Sequence, residues 1–519
     1  MSFFIYPHFF LSTLDRIHTL CGSLRSPPER RWRWVKMLKY ISSTYDYRDH
    51  LKLEKSDLSV NDRKRLGSPK FRSAIHKLWK LDIDLIHDLL IPLYSPIGRP
   101  AIDPAVLIRS FLLMQHFGIL NIHDWVEKIR SDALLQYLLW SDSPPSVSSH
   151  YDFISRLTGI HSHLSELYPK GRYSHESKKK PKKGEKLINY SHTDTYYLAD
   201  KYKNGAACDS DRTMFTLQAI FNALVVIPSV DLGFIDSKDL VLSGDGSALH
   251  IHSSPYGHKA KDGDDTDNTY RYSAPDADIG WDSDLGVFYF GYTFYSIAYH
   301  NPKRNIDLPV FITLEKASRH DALTTISATA QYLDEESAPH PKYMCFDSAS
   351  DSLPIYGYLR HSNTIPIIDQ NQHTNPEKRT SQLKEKYHLN DQMAPVCQAG
   401  VPMYHDGYDV QRCRTKFRCP MVMGRIDHCP FIDECSTSSY GRTVYINDND
   451  DIRMFGPVPY RSEKWKEIYK NRTSTERINN RVLNAYHLHQ MRIRGYAKFA
   501  FFAIFAGINI HLDAWVNNN

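Results

Sequence analysis

Three carboxylates in this chain have neighbours that suit phosphoryl chemistry. Asp245 follows the apolar run Leu240-Val241-Leu242, inside Gly244-Asp245-Gly246. An acid there points into whatever site a sheet edge forms, although Asp-Gly between two apolar runs is equally a hairpin-turn signal. Asp347 closes the short apolar run Tyr343–Phe346 just before a helical stretch, as a metal ligand or as an ordinary N-cap. Arg472, Glu476 and Asn480 are four apart, so a continuous helix shows them on one face, while Ile478, Val482 and Ala485 lie on another. Thr473-Ser-Thr-Glu476 also fits a capping box, in which Glu476 only satisfies a backbone N–H. Taken jointly, two acids ending strands and one on a late helix form a donor set for two-metal phosphoryl transfer. In such a site two divalent cations roughly 3.5–4 Å apart clamp the attacking and leaving oxygens. Carboxylate oxygens suit Mg²⁺. The scissile phosphate is itself negative, so an all-acid site needs the metals to invert its charge.

A second candidate centre is built from cysteine. Cys413-x5-Cys419 and Cys429-x5-Cys435 place four thiols within 23 residues, with His428 adjacent and Cys397 upstream. Structural Zn²⁺ takes four Cys or His ligands, usually from C-x₂₋₄-C pairs, so x5 is a looser spacing. The expected ligands are Cys419, Cys429 and Cys435, with the fourth from Cys397 or Cys413; the alternative is a set of free, partly buried thiols. Eight cysteines are few for 519 residues, which argues against a secreted disulfide framework and for a reducing cytosol. The eight aspartates between Asp262 and Asp284 miss the EF-hand pattern and read as a solvated loop ending at Trp281, a residue that is structural or approaches DNA.

The elements that must position these residues fall into two patterns. Residues 1–75 show no clear period. From 76 to 160 the chain reads as short helices. One starts at Asp103-Pro104, with Asp as N-cap and Pro in the first turn, and others span Asn121–Trp140 and Ser146–Leu157. From periodicity alone a plain bundle and a helix-turn-helix region are both open. Lys170–Lys186 carries eight basic residues against two acidic ones and reads as a flexible linker or a phosphate-touching arm. From about 190 the pattern turns to strands: 240–251, Val287–Tyr299, Val310–Leu314, Tyr343–Phe346 and Ile365–Ile368, with a helix over His320–Leu333 and another from Ser350. The order predicts an α/β arrangement around a mixed sheet. Residues 465–490 return to helix.

These motifs resemble those of bacterial insertion-sequence transposases of the DDE, ribonuclease-H-like class. The resemblance runs from about residue 75 to the end. Gly98-Arg99-Pro100-Ala-Ile-Asp103-Pro104 and Pro144-Pro145-Ser-Val-Ser-Ser-His150-Tyr151 resemble the family's N-terminal domain. Leu242-Ser-Gly-Asp245-Gly246 and Phe346-Asp347-Ser-Ala-Ser-Asp351 resemble the strands bearing its first two acids. Tyr469, Arg472 and Glu476 resemble its Tyr-Arg-Glu-Lys signature, and Asn509-Ile-His511-Leu-Asp513-Ala-Trp515 its C-terminus. The resemblance implies an α+β multidomain chain. It has an N-terminal extension (1–75), an all-α DNA-binding domain (76–168) and a basic linker (169–189). A ribonuclease-H-like catalytic domain follows (190–370 and 461–519), with an inserted cysteine-rich subdomain (371–460). It implies Asp245, Asp347 and Glu476 as catalytic Mg²⁺ ligands and Tyr469, Arg472, Arg477 and Arg481 as DNA-binding residues. It implies binding to terminal inverted repeats and target DNA, strand transfer by a freed 3′-hydroxyl, and a homodimer on paired ends. The signature's Lys falls seven residues after the Glu, where this chain has Leu483; Arg481 is turned about 200° from that position on a helix. Two alternatives share the motifs: a catalytically impaired zinc-containing DNA-binding protein, and a ribonuclease-H-like nuclease acting on another nucleic acid.

Composition bounds these readings. The chain is 41% hydrophobic and 24% charged, ordinary for a soluble globular protein of about three domains. The N-terminus is not expected to be a signal peptide. The apolar stretch Phe499–Leu512 is too short for a bilayer and contains Asn509 and His511, so it reads as a buried helix or strand. A bacterial cytosolic protein is expected. The net charge of +5 argues against nucleic acid, but its distribution does not: residues 461–498 carry +7 and the linker +6, leaving −8 elsewhere.

Overall fold

The computed structural model describes residues 36–53, 58–141, 143–159, 167–173, 190–206, 212–260, 269–372 and 376–518. Most of the linker and the first half of the aspartate-rich stretch lie outside these residues.

The helical layer is written in its caps. Helices α1 (Pro69–Lys80), α2 (Pro104–His116), α3 (Ile122–Ser131), α4 (Ala133–Leu139) and α5 (Val147–Thr158) follow one another closely. Asp103, Asn121, Asp132 and Ser146 each accept a backbone N–H from the first turn that follows, satisfying donors the helix itself cannot. Gly159 ends α5 in the left-handed conformation, its N–H bonded to the Ser155 carbonyl. Helix α2 is buried from Pro104 to Gln115, so it is the layer's hub.

Residues 190–231 correct the expectation of strands. They form α6 (Tyr190–Lys203) and α7 (Arg212–Phe221), the latter continuing through a wide i→i+5 turn (Asn222–Val226) into Ile227–Asp231. The run from Met214 to Val226 is buried almost throughout, which erases the amphipathic period that separates helix from strand.

The sheet begins at β1 (Val241–His250), followed by β2 (Val287–Asn301) and β3 (Ile306–Lys316), each antiparallel to the one before. After α8 (Asp321–Leu333), β4 (Tyr343–Phe346) runs parallel to β1 on its other side, and after α9 (Leu353–His361), β5 (Ile365–Ile368) runs parallel to β4. The spatial order is β3-β2-β1-β4-β5, and a short strand, Asp278–Asp282, pairs with the first residues of β2.

Three C-terminal helices complete the core: α10 (Glu463–Tyr469), α11 (Thr473–Asn480) and α12 (Tyr496–Asn517). Helix α12 lies between β3 and the helices α1, α2, α5 and α7, and Gly507 lets it come close. A Cβ there would stand 2.7 Å from Ile312 Cδ1 and 2.9 Å from Phe221 Cε2. Helix α12 is longer than the apolar stretch Phe499–Leu512, and by length and composition it could cross a membrane, as could Thr213–Asp231; both are mostly buried inside the fold, which fits the expected buried helix. The buried polar residues Asn509 and His511 of α12 are paired. Asn509 accepts from Lys77 Nζ at 3.2 Å and donates to the Leu112 carbonyl.

Residues 371–460 add a helix (Pro376–Tyr387) and a three-stranded antiparallel sheet (Tyr404–Asp409, Arg414–Arg418, Thr443–Asn447). This subdomain shares its core with the main sheet: Met403, Phe417, Ile446 and Phe455 pack with Tyr343 and Cys345 of β4 and with Trp465 of α10.

Candidate functional site

Asp245 lies in the middle of β1, opposite Ser296 of β2, so the hairpin-turn reading of Gly244-Asp245-Gly246 is wrong for this fold. Gly244 is required by its neighbours: a Cβ there would stand 2.6 Å from both the Phe346 ring and the Tyr295 hydroxyl. In the β1–β4 register Tyr343 faces Val241 and Cys345 faces Ser243, so the next residue beyond β4, Asp347, comes level with Asp245. Asp347 does cap the short turn Ser348–Ser350, its Oδ1 accepting the Ala349 N–H at 3.1 Å. A chain of hydroxyls underpins it: Tyr295 to Thr325 at 3.3 Å, and Thr325 to Ser350 at 3.1 Å.

Glu476 arrives on α11, which packs across β1, β2 and β3. Two side-chain bonds set its register. Ser474 Oγ lies 2.7 Å from Ser243 Oγ of β1, and the Ser296 hydroxyl of β2 donates to Asn479 Oδ1 at 2.7 Å. The capping box does not form. Thr473 is already helical, and its hydroxyl donates back to the Lys470 carbonyl. Glu476 instead accepts from Arg472 at 2.5 Å, and the same guanidinium stands 3.5 Å from Asp245.

Crowded acid dominates the electrostatics. Burial, then the charge of Asp347, pushes the Asp245 carboxyl up to about 7, against the pull of Arg472. Asp347 is also raised, by burial and by Asp321 at the start of α8. The site is short of positive charge, and Arg472 supplies part of it. All three acids offer hard oxygen donors, the chemistry a divalent cation such as Mg²⁺ takes. As they stand, no group of three His, Cys, Asp or Glu side chains among the described residues surrounds one point closely enough to hold an ion.

The remaining candidates divide. Tyr469 stacks on Trp465 with ring centroids 4.5 Å apart, and burial keeps its hydroxyl protonated. Arg477 is held by both oxygens of Asp307, at 2.5 and 2.8 Å, and Arg481 lies 3.2 Å from Asp513. Leu483, at the position of the signature's Lys, is buried in the core, within an i→i+5 turn (Arg481–Ala485) that continues α11. Cys397, Cys419, Cys429 and Cys435 line one cavity of about 410 Å³. Cys413 does not; it is exposed, its thiol toward the Val410 carbonyl, because it sits in the turn joining two strands of the inserted sheet. Sequence spacing missed Asp321, Tyr295, Thr325, Ser474 and Asn479. They reach the site through sheet register and helix docking, and only the small polar residues on the inner face of α11 hinted at it.

Residues 63–157 match the family model of a transposase domain (DUF772), a stretch that runs from just before α1 through most of α5. No curated protein matches the chain. The match supports a transposase, a class of DNA-processing enzyme. It stops well short of the three acids, the cysteines and the sheet.

Proposed function

We propose that this chain is a DDE-type DNA transposase with a ribonuclease-H-like catalytic domain. The observation that carries the reading is that Asp245 in β1 and Asp347 just beyond β4 come level in the sheet, while Arg472, beside Asp245, bonds Glu476 of the helix packed across it. The strand order β3-β2-β1-β4-β5, three antiparallel strands followed by two parallel ones, supports it. So does a transposase domain in the helical layer. Asp245, Asp347 and Glu476 would hold Mg²⁺, which supplies an activated water or 3′-hydroxyl and neutralises the departing oxygen. The protein's own residues bind and orient. Arg472, charged and half-exposed beside the acids, receives a phosphate oxygen of the DNA, and Tyr469 walls the strand's path. The helical layer binds terminal inverted repeats, and two copies pair on two ends in the bacterial cytosol.

The test uses purified protein, Mg²⁺ and DNA carrying the element's own ends. Nicking and strand transfer are expected, with Asp347→Ala abolishing both while DNA binding persists. Nicking that survives in Asp347→Ala would remove the assignment. Cleavage of random duplex as readily as of the ends would favour a general nuclease.

The inserted subdomain carries a structural zinc in this reading. Cys397, Cys419, Cys429 and Cys435 would be its ligands: they line one cavity, and would have to draw together to hold the ion. Metal analysis of the purified protein is expected to give one zinc per chain, lost in Cys397→Ser and kept in Cys413→Ser. Absence of zinc from the wild type would remove the site.

A further inference from the structure

We infer that the junction between the helical layer and the catalytic helix α11 holds a phosphate-binding pocket, used by the DNA backbone next to the reacting phosphate. The inference rests on the transposase reading for its ligand's source, and on the pocket for its chemistry. A cavity of about 420 Å³ opens there, lined by Lys70 and Lys77 of α1, His116 at the end of α2, and Arg481, His487 and Asp513. Lys70, Lys77 and Arg481 face one carboxylate, although burial pulls the Lys77 ammonium below its usual value. Asp513 is shared by Lys77 at 2.7 Å and Arg481 at 3.2 Å, so the pair leaves positive charge over, and exposed Lys70 adds to it.

His487 gives the second, independent observation. Its backbone sits in the left-handed region, with φ of 60°, an uncommon conformation for a residue other than glycine. That conformation turns the imidazole onto Gly118, whose own φ is 69°. Its Nδ1 is buried without a hydrogen-bond partner. A buried polar atom left unpaired costs free energy, and strain held at a concave basic site is the signature of a place built for a ligand. A phosphate oxygen supplies an acceptor for imidazole and ammonium together.

The location fits a nucleic-acid strand. Arg481 follows Glu476 by five residues, about 7.5 Å farther along helical backbone and about 140° round it, toward the helical layer's side. The wide turn Arg481–Ala485 brings the chain round to His487 at the cavity, while Leu483 packs inward. The helical layer and the catalytic helix would grip the same strand.

The test measures duplex binding by the full chain in EDTA across a salt series, with Lys70→Gln and His487→Asn combined. Asn tolerates left-handed backbone, and Lys70 is on the surface, so a native melting curve is expected. The variant is expected to bind about tenfold more weakly, with its log–log salt slope reduced by about one. Lys238→Gln, a remote exposed lysine, is the control and is expected to match wild type. If wild type binds DNA and the variant has the same affinity and slope, the pocket is refuted and the transposase reading stands. A second arm follows the melting temperature with inorganic phosphate. If wild type fails to bind DNA but is stabilised by phosphate, and the variant is not, the pocket stands with a free phosphate as ligand and the transposase reading fails. No DNA binding and no phosphate effect refutes both.

Discussion

Acid should loosen this protein from its last helix. His511 of α12 is fully buried, with Nδ1 2.7 Å from Ser229 Oγ and Nε2 2.7 Å from the Pro309 carbonyl. A carbonyl only accepts, so Nε2 carries the ring proton and Nδ1 accepts from the serine. Trp515 Nε1 donates to the same serine oxygen at 2.9 Å. A second ring proton would turn Ser229 from donor to acceptor and leave its hydroxyl hydrogen without a partner. Burial opposes the charge as well, and the imidazole is pulled from 6.5 down to about 4. In the unfolded chain it titrates near 6.5, so between these values the unfolded state binds the proton first. Stability is therefore full above about pH 6.5 and falls as pH drops towards 4. One such histidine accounts for about 3 kcal/mol over the window, or up to about 1.4 kcal/mol per pH unit. His150, bonded to Ser110 and Ser146, is lowered to about 4 by burial and acts in the same direction. Urea unfolding in EDTA from pH 8 to 4.5, followed by circular dichroism, measures the slope. His511→Gln should be less stable than wild type at pH 8, yet lose stability more gently on acidification, by up to about 1.4 kcal/mol per pH unit. Parallel pH curves for the two proteins would refute the argument, whatever their absolute stabilities.

Two further outcomes concern the supports of the site. Gly244→Ala forces a methyl against Phe346 and Tyr295, so it should cost about 1–3 kcal/mol in thermal melts and depress cleavage more than DNA binding. Asn479→Ala leaves the buried Ser296 hydroxyl without its acceptor and frees one of the two bonds that register α11. It should cost about 1–3 kcal/mol and lower kcat while KM for the DNA ends stays near wild type. An unchanged kcat would show that the Ser243–Ser474 bond alone holds Glu476 in place.

Strands β4 and β5 were legible to the residue, because each is a short apolar run bounded by chain-turning residues. The start of α2 was legible because Asp103-Pro104 states its cap chemistry locally. Asp245 was ambiguous for the opposite reason. Whether Asp-Gly turns or continues depends on β2 lying alongside, and β2 begins more than forty residues later. The helices of 190–231 were missed because burial on every side removes the contrast that periodicity needs. The third acid was found by spacing, but the reason it is held, Ser474 and Asn479 bonding to two strands, is tertiary. Likewise Arg477 and Arg481 look alike in sequence as exposed cations. Only the fold shows Asp307 holding one and Asp513 the other. Among the cysteines, spacing left Cys397 and Cys413 equivalent, and a strand turn separated them.

The bond between Lys77 and Asn509 spans 432 residues. A ribosome adding about 5–20 residues per second needs roughly 20–90 s to make the second partner after the first. For most of that interval the inner surfaces of α1, α2 and α5, once made, lack the helix that covers them. A nascent chain of this design carries a long-lived sticky face, so its yield depends on holdase chaperones and on translation speed downstream of α5. Slow codons between α5 and α12 are expected to lower the amount of folded protein.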